Sequence, residues 1–597
     1  MRFMDFENSQ LLFHALGSAY VQFIYWLVLW ICWSLLCLQL FRSDARLETP
    51  DTRFDPVPIL LGLALTAARW PTLLLNAPLN PDENVLIGGA LRFMHDPVPW
   101  RGADLITSGP LNSYVLLIPA ALGLDINYGT ARTVGLVLLI IAVISWYLCA
   151  KQVRDKFVAI SVVLPPITFL CFTQDADFIH YSSELVSVAL LSVAALTVSS
   201  LSSSSGLRLF IVALILGAVP FAKLQAAPLA IVAFFVIFLF AWRAKGERFS
   251  NTMVMMGAGG LTVPVLMAAV LLASGSFDDA WRSYILSELE LSAKPMGLYR
   301  FARYLFENIA FVCSIGSLLL IAFIGTNRQF LRSQICGEGR WLIAGSIVYG
   351  LASVYAIYKP GNPWRHYLFF SLPAAVFFAT AMFAPWNLGS TWQRALARLS
   401  RSVRSIGSVA VIAGAAFGLL LFDLHGPFWV LEEVSVPQVY PVAKIMLALL
   451  KGDSDFAVWG WMPQYYAMTG KRPTTRDVIN QFQIWDSPQK EYYRERYLSD
   501  FNNSRPNVFV DATGSGNYTF TYPPPRPIES FPQLYQILHS NYVLFLDIKH
   551  CRTPRTRIFV SQARLSDLGR EKLEAIAKQP TCLQDSGDLY RLLSLLG

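Results

Sequence analysis

Long apolar runs alternate with short polar stretches over the first two thirds of the chain. Runs near twenty residues are long enough for a helix to cross a bilayer. The pattern predicts spans over 18–41, 57–75, 131–150, 157–173, 182–201, 254–274, 304–325, 341–358, 368–384 and 406–422. The run 209–242 would reach ~51 Å as one helix, too long for one span. Pro220 to Lys223 breaks it in two, which brings the total to about 12 spans and leaves Lys223 at the junction. The run 111–124 would reach only ~21 Å, short of a core about 30 Å thick. It reads as a helix lying on the membrane surface.

Basic residues set the orientation. Arg42, Arg46 and Arg53 follow the first span, Lys151, Arg154 and Lys156 follow the span over 131–150, and Arg394, Arg398, Arg401 and Arg404 precede the last. The positive-inside rule places these in the cytoplasm and both termini outside. Beyond residue 423 the apolar runs shorten to strand size, at 456–459, 508–510, 542–546 and 557–560, with a helix signal over 566–578. That change predicts a soluble α/β domain. The expected organisation is an extra N-terminal span and cytoplasmic linker (1–55), a transmembrane domain (56–422) and an extracytoplasmic α/β domain (423–597).

Composition agrees: 54% of residues are hydrophobic and 15% charged, against about 25% charged in soluble chains. The net charge of +8 belongs to cytoplasmic loops, which excludes nucleic acid as a partner. Residues 1–10 lack a cleavable signal pattern. Cys551 and Cys582 fall in the polar C-terminal region, as a disulfide or as two free thiols. Gly514-Ser515-Gly516 lacks the third glycine and following helix of a phosphate loop.

The candidate chemistry gathers on the outer side. Asn80-Pro81-Asp82-Glu83-Asn84 follows the second span. Asp is a favoured N-cap and acidic first turns suit the helix dipole, so Asp82 and Glu83 read either as a helix start or as chemistry. Asp175, Asp177, His180, Tyr181 and Glu184 reach the same face, as do Lys223, Gln225, Lys359, Arg365 and His366. Asp177, His180 and Glu184 are spaced i, i+3, i+7, one helical face, where a divalent cation could bind or the helix end could simply face water. Lys223 suits a phosphate or a snorkelling helix end. Arg365 and His366 suit a phosphate or an interfacial anchor.

Asn80-Pro81-Asp82-Glu83 after a span, a surface helix, and Ala131-Arg132 opening the next span resemble the GT-C membrane glycosyltransferases, nearest to the lipid A aminoarabinose transferases and protein O-mannosyltransferases. Asp177, the small-residue run Gly217 to Lys223, His366-Tyr367 with Pro373, and Phe456 to Pro463 with Thr475-Arg476 resemble further parts of that pattern. The resemblance implies inverting transfer of a sugar from a polyprenyl-phosphate donor to a glycan, lipid or protein acceptor outside the cytoplasmic membrane. Asp82, with Glu83 and Asp177, would be catalytic; Lys223, Gln225, Arg365 and His366 would hold the donor; Asp175, His180, Tyr181 and Glu184 would line the site. The sequence departs from the aminoarabinose transferases at Thr107-Ser108-Gly109-Pro110-Leu111. Those carry Glu-Lys-Pro there, and its Glu helps bind a metal. With no carboxylate here, no cofactor is implied beyond an optional divalent cation. Two other classes remain open: a transporter or flippase, which would place charges at mid-membrane in repeat-related broken helices, and a non-catalytic binder of lipid-linked glycan.

Overall fold

The computed structural model describes residues 19–45, 54–154, 156–199, 206–244, 248–325, 339–382, 436–450, 454–514, 527–548 and 556–577. Its helical part comprises α1 (Ala19–Ala45), α2 (Val57–Leu74), α3 (Pro81–Phe93), α4 (Tyr128–Val153), α5 (Lys156–Phe172), α6 (Glu184–Ser199) and α7 (Gly206–Ala218). It continues with α8 (Ala227–Leu239), α9 (Phe249–Ala273), α10 (Leu298–Glu307), α11 (Ile309–Gly325), α12 (Gly339–Tyr358), α13 (Ser371–Met382) and α14 (Val436–Leu449).

Among the described residues six helices are long and apolar enough to cross a membrane, and a seventh span is possible through α10 and α11. The remaining apolar helices fall short of that length: α5 has the 17 residues expected of it, α6 has 16, α7 13 and α13 12. The expected last span, 406–422, lies outside the described residues, as do Cys551 and Cys582. The α10–α11 pair is bent by 89°, so the expected span over 304–325 runs straight only from Ile309. The segment 111–124, expected to lie on the membrane surface, is two short helices, Leu111–Tyr114 and Leu117–Ala121.

Helix α5 is buried on every side from Phe157 to Phe172, as an apolar run without a polar face requires. The additional helix α1 packs on α2 and α5. Trp33 donates its indole N–H to Thr168 Oγ1 at 2.9 Å, and Tyr25 donates to the Ala68 carbonyl at 3.1 Å.

All four expected strands are present: β1 (Ser454–Gly460), β3 (Val508–Ala512), β4 (Tyr542–Ile548) and β5 (Thr556–Ser561), joined by the two-residue β2 (Arg472–Pro473). The sheet order is β2-β1-β3-β5-β4, parallel through β2, β1 and β3, with β5 antiparallel to β3 and β4. Central β3 is buried throughout, which explains its unbroken apolar run.

The sheet domain is joined to the membrane part through polar contacts. Arg496 donates to Asp104 at 2.6 Å and to Asp477, and all three are buried. Arg476 pairs with Asp279 at 2.9 Å. Arg92, at the end of α3, donates to the carbonyls of Pro473 and Thr474 at 3.2 and 3.3 Å.

Candidate active site

The start of α3 separates its two adjacent carboxylates. Asn80 rather than Asp82 is the N-cap: its backbone is extended, and its Oδ1 accepts the Asp82 N–H at 2.8 Å. Pro81 then fills the first helical turn, where its missing N–H costs nothing. The Asp82 carboxylate is therefore free of capping, and its side chain is 40% exposed. Glu83 points the other way and is fully buried. Arg132 grips it with two prongs, Nε to Oε1 and Nη2 to Oε2, each 2.8 Å. The same guanidinium also donates to the carbonyls of Thr72, Leu75 and Ala77 at 3.0, 2.7 and 2.6 Å. It ties the α2–α3 connection to α4.

A second carboxylate stands beside the first. Asn80 Nδ2 donates to Asp177 Oδ1 at 2.6 Å, and the Arg365 N–H donates to Asp177 Oδ2 at 3.2 Å. The Arg365 guanidinium pairs with Asp175 on a partly exposed surface. The buried His366 ring lies between Asp82 and Asp177, with Nε2 3.6 Å from Asp82 Oδ2 and Nδ1 3.7 Å from Asp177 Oδ2. Both gaps sit just beyond hydrogen-bond range. Burial works against charging His366, but Glu184, Asp177 and Asp82 outweigh it and push the imidazole up to about 9. Burial likewise opposes the Asp177 charge, and His366 and Asn80 hold its carboxyl well below the usual range. The ring is therefore an imidazolium between two carboxylates at neutral pH. The turn that delivers it depends on Gly361 at φ 76°, where a Cβ would also meet the Lys294 carbonyl at 2.1 Å.

Lys223 sits at the expected break. The helix ends in 3-10 turns, Val219–Phe221 and Leu224–Ala226, and Lys223 between them is extended. Its Nζ donates to Ser183 Oγ at 2.7 Å, lies 3.2 Å from Glu184 Oε1, and stands 5.6 Å from the centre of the Tyr367 ring. Burial disfavours its charge, but Glu184, then Asp82 and Glu288, raise it above the ordinary lysine value. The stretch at 107–111 lies directly against this junction. Ser108 bridges to Lys223 through the backbone, Gly109 N–H donates to the Ala222 carbonyl at 2.9 Å, and Asn112 Nδ2 donates to the same carbonyl at 2.5 Å.

Other expected residues have distinct places. The Asp177, His180, Glu184 spacing does not form one helical face. The helix over Ala176–Ile179 stops at His180, whose backbone is extended, and Glu184 opens α6 toward Lys223. Among the described residues no group of three or more His, Cys, Asp or Glu side chains is placed to hold a metal ion. His180 bonds the Ala176 carbonyl through Nδ1 and packs against the His366 ring, centroids 5.5 Å apart. Tyr181 donates its hydroxyl to the Asn112 carbonyl at 2.6 Å and its N–H to Glu83 at 3.3 Å. Gln225 donates to the Ala356 carbonyl at 2.7 Å. Lys359 turns to the Ser292 carbonyl, away from the cluster.

Glu288 belongs to the cluster and carried no sequence signal, because Ser287–Leu291 reads as an ordinary acidic loop helix. Its Oε2 is buried without a hydrogen bond. Burial raises its carboxyl above the usual range, opposed by nearby Lys223. The assembled cluster presents Asp82 as its most exposed carboxylate, with Asp177 less exposed beside it, next to the buried His366 and Lys223. That set can take a proton from a hydroxyl and stabilise an anion that develops next to it.

No protein-family model matches the sequence, and no curated protein matches it by sequence. Its fold is similar to that of ArnT from Cupriavidus metallidurans, solved in the apo state, with a TM-score of 0.51 and 13% identity over 86% of this chain and 98% of that one. The oligosaccharyltransferase of Archaeoglobus fulgidus, solved with Zn and sulfate, matches with a TM-score of 0.40 and 13% identity over 76% of this chain and 68% of that one. The chain shares the overall fold of that ArnT structure, and six of its described helices are long and apolar enough to cross a membrane.

Proposed function

We propose that the protein is a glycosyltransferase that moves a sugar from a polyprenyl-phosphate donor to a hydroxyl-bearing acceptor at the outer face of the cytoplasmic membrane. Asp82 takes the proton of the acceptor hydroxyl. The acceptor oxygen forms a bond to the anomeric carbon as the carbon–oxygen bond to phosphate breaks. The electron pair of that bond leaves on the phosphate oxygen, beside Lys223, and the anomeric centre inverts. His366 holds Asp82 and Asp177 together and adds positive charge near the departing phosphate. Arg365 anchors Asp175 at the rim, and Glu83 positions α3 rather than reacting.

The observation that carries this reading is the exposed Asp82 carboxylate, 3.6 Å from the buried His366 ring and in the field of the buried Lys223. The GT-C fold and the sequence resemblance to aminoarabinose and O-mannosyl transferases agree with it. The test is sugar transfer by membranes containing Asp82→Asn, supplied with candidate polyprenyl-phosphate sugars. Loss of a general base is expected to cost ~10²–10⁴-fold in rate. Transfer at the wild-type rate would remove Asp82 from the role of base.

A further inference from the structure

A cavity of about 250 Å³ opens at the end of the bundle opposite Asp82, lined by apolar side chains such as Leu191, Ala195, Ile237 and Phe377. It lies between the C-terminal ends of α4, α6 and α8 and the N-terminal half of α12. Glu184 opens α6 at the candidate site and Ser199 closes it at the cavity, so the two are ~22 Å apart.

Two features keep the cavity from being a plain packing void. Tyr349 lies on its wall with a buried hydroxyl that makes no hydrogen bond. Such a group is costly unless a partner arrives. The hydroxyls of Ser346 and Thr380, on the same wall, already donate to the carbonyls of Ile343 and Val376 in their own helices at 2.8 and 2.7 Å. At the mouth, the exposed Arg243 guanidinium lies 4.9 Å from the Trp242 ring and 5.6 Å from the ring of Trp341, itself a lining residue. Among the described residues no carboxylate pairs with Arg243. Trp341 and Tyr349 are ~12 Å apart along α12, and an aromatic side chain leans back about one turn toward the helix N-terminus. Both side chains lean the same way, so the Tyr349 hydroxyl lies on the wall deeper in the bundle than Trp341 and the arginine stacked beside it.

We propose that this cavity binds one acyl chain of an anionic glycerophospholipid, with its phosphate at Arg243 and an ester carbonyl accepting from Tyr349. An apolar chain matches the lining, and the charge at the mouth selects an anionic headgroup. The proposal does not depend on the reaction at Asp82.

The full-length protein, purified and stripped of lipid, is incubated with phosphatidylglycerol or phosphatidylcholine, and retained lipid is counted by native mass spectrometry. Wild type is expected to keep one phosphatidylglycerol and at least tenfold less phosphatidylcholine. Arg243→Gln should lower phosphatidylglycerol retention about tenfold and leave phosphatidylcholine unchanged. Ala195→Phe, which fills the cavity, should abolish retention, and Tyr349→Phe should weaken it severalfold. If Ala195→Phe does not fold, the surface variant Arg243→Gln decides alone. Equal retention of the two lipids by wild type, or unchanged retention by Arg243→Gln, overturns the proposal. So does polyprenyl phosphate displacing phosphatidylglycerol with the same dependence on Arg243.

Discussion

Arg132 and Glu83 form a two-pronged ion pair that is buried on both sides, with both oxygen–nitrogen contacts at 2.8 Å. Removing one partner of such a pair leaves an uncompensated charge and costs about 3–5 kcal/mol. Arg132→Ala and Glu83→Ala are each expected to lower thermal stability by that order, and the double variant by less than their sum. Unfolding in detergent, followed by tryptophan fluorescence, measures it. A Glu83→Ala protein as stable as wild type would mean that Glu83 does not brace α3.

The pH response follows from His366. Its folded value, about 9, is raised above the ordinary 6.5, so its contribution to stability is complete below 6.5 and is lost as pH rises through 9. Both stability and sugar transfer are therefore expected to fall on the alkaline side, with a midpoint near that value. His366→Gln should remove this alkaline limb. An unchanged limb in that variant would assign it to another group. Asp177 contributes with the opposite sign: its depressed carboxyl stabilises above the ordinary 3.8 and is lost only in stronger acid.

Gly109 tests the seat of Lys223. A Cβ there would stand 2.0 Å from the Phe221 carbonyl oxygen, so Gly109→Ala must push the 219–223 turn away. Under the proposed function this should raise the KM for the lipid donor about tenfold, with a smaller effect on kcat. Equal loss in both would point to a general disturbance of the site.

Arg496→Ala should loosen the sheet domain, because Asp104 and Asp477 would stay buried without their shared cation. Limited proteolysis between the membrane part and the sheet domain is expected to speed up at least tenfold. An unchanged cleavage rate would show that the apolar contacts alone hold the domain in place.

Much of this architecture was readable from the chain. Hydropathy located the helices because lipid demands apolar length, and the break at Pro220 to Lys223 was visible because 34 apolar residues exceed one bilayer. Asp82, Asp177, Lys223 and His366 were all proposed from sequence, and the fold brings them together. The i, i+3, i+7 spacing failed because periodicity assumes an unbroken helix, and His180 at ψ 169° breaks it. Glu83 was ambiguous because its partner lies 49 residues away. An arginine at the start of an apolar run was the available clue, since a charge there needs a buried partner. Glu288 left no clue, because only the burial of its carboxylate oxygen distinguishes it from its acidic neighbours.

Helix α3 carries Asp82 in its first turn and Arg92 in its last, ~15 Å apart along a single rod. Arg92 is fastened to the Pro473 and Thr474 carbonyls beside the sheet, and Val478 packs against Gly88 midway. The helix is therefore a lever with the Asp82 carboxylate at one end and the sheet domain gripping the other. A tilt of that domain of a few degrees would swing Asp82 by about an ångström over that length. Misplacement on that scale is enough to change a rate a hundredfold.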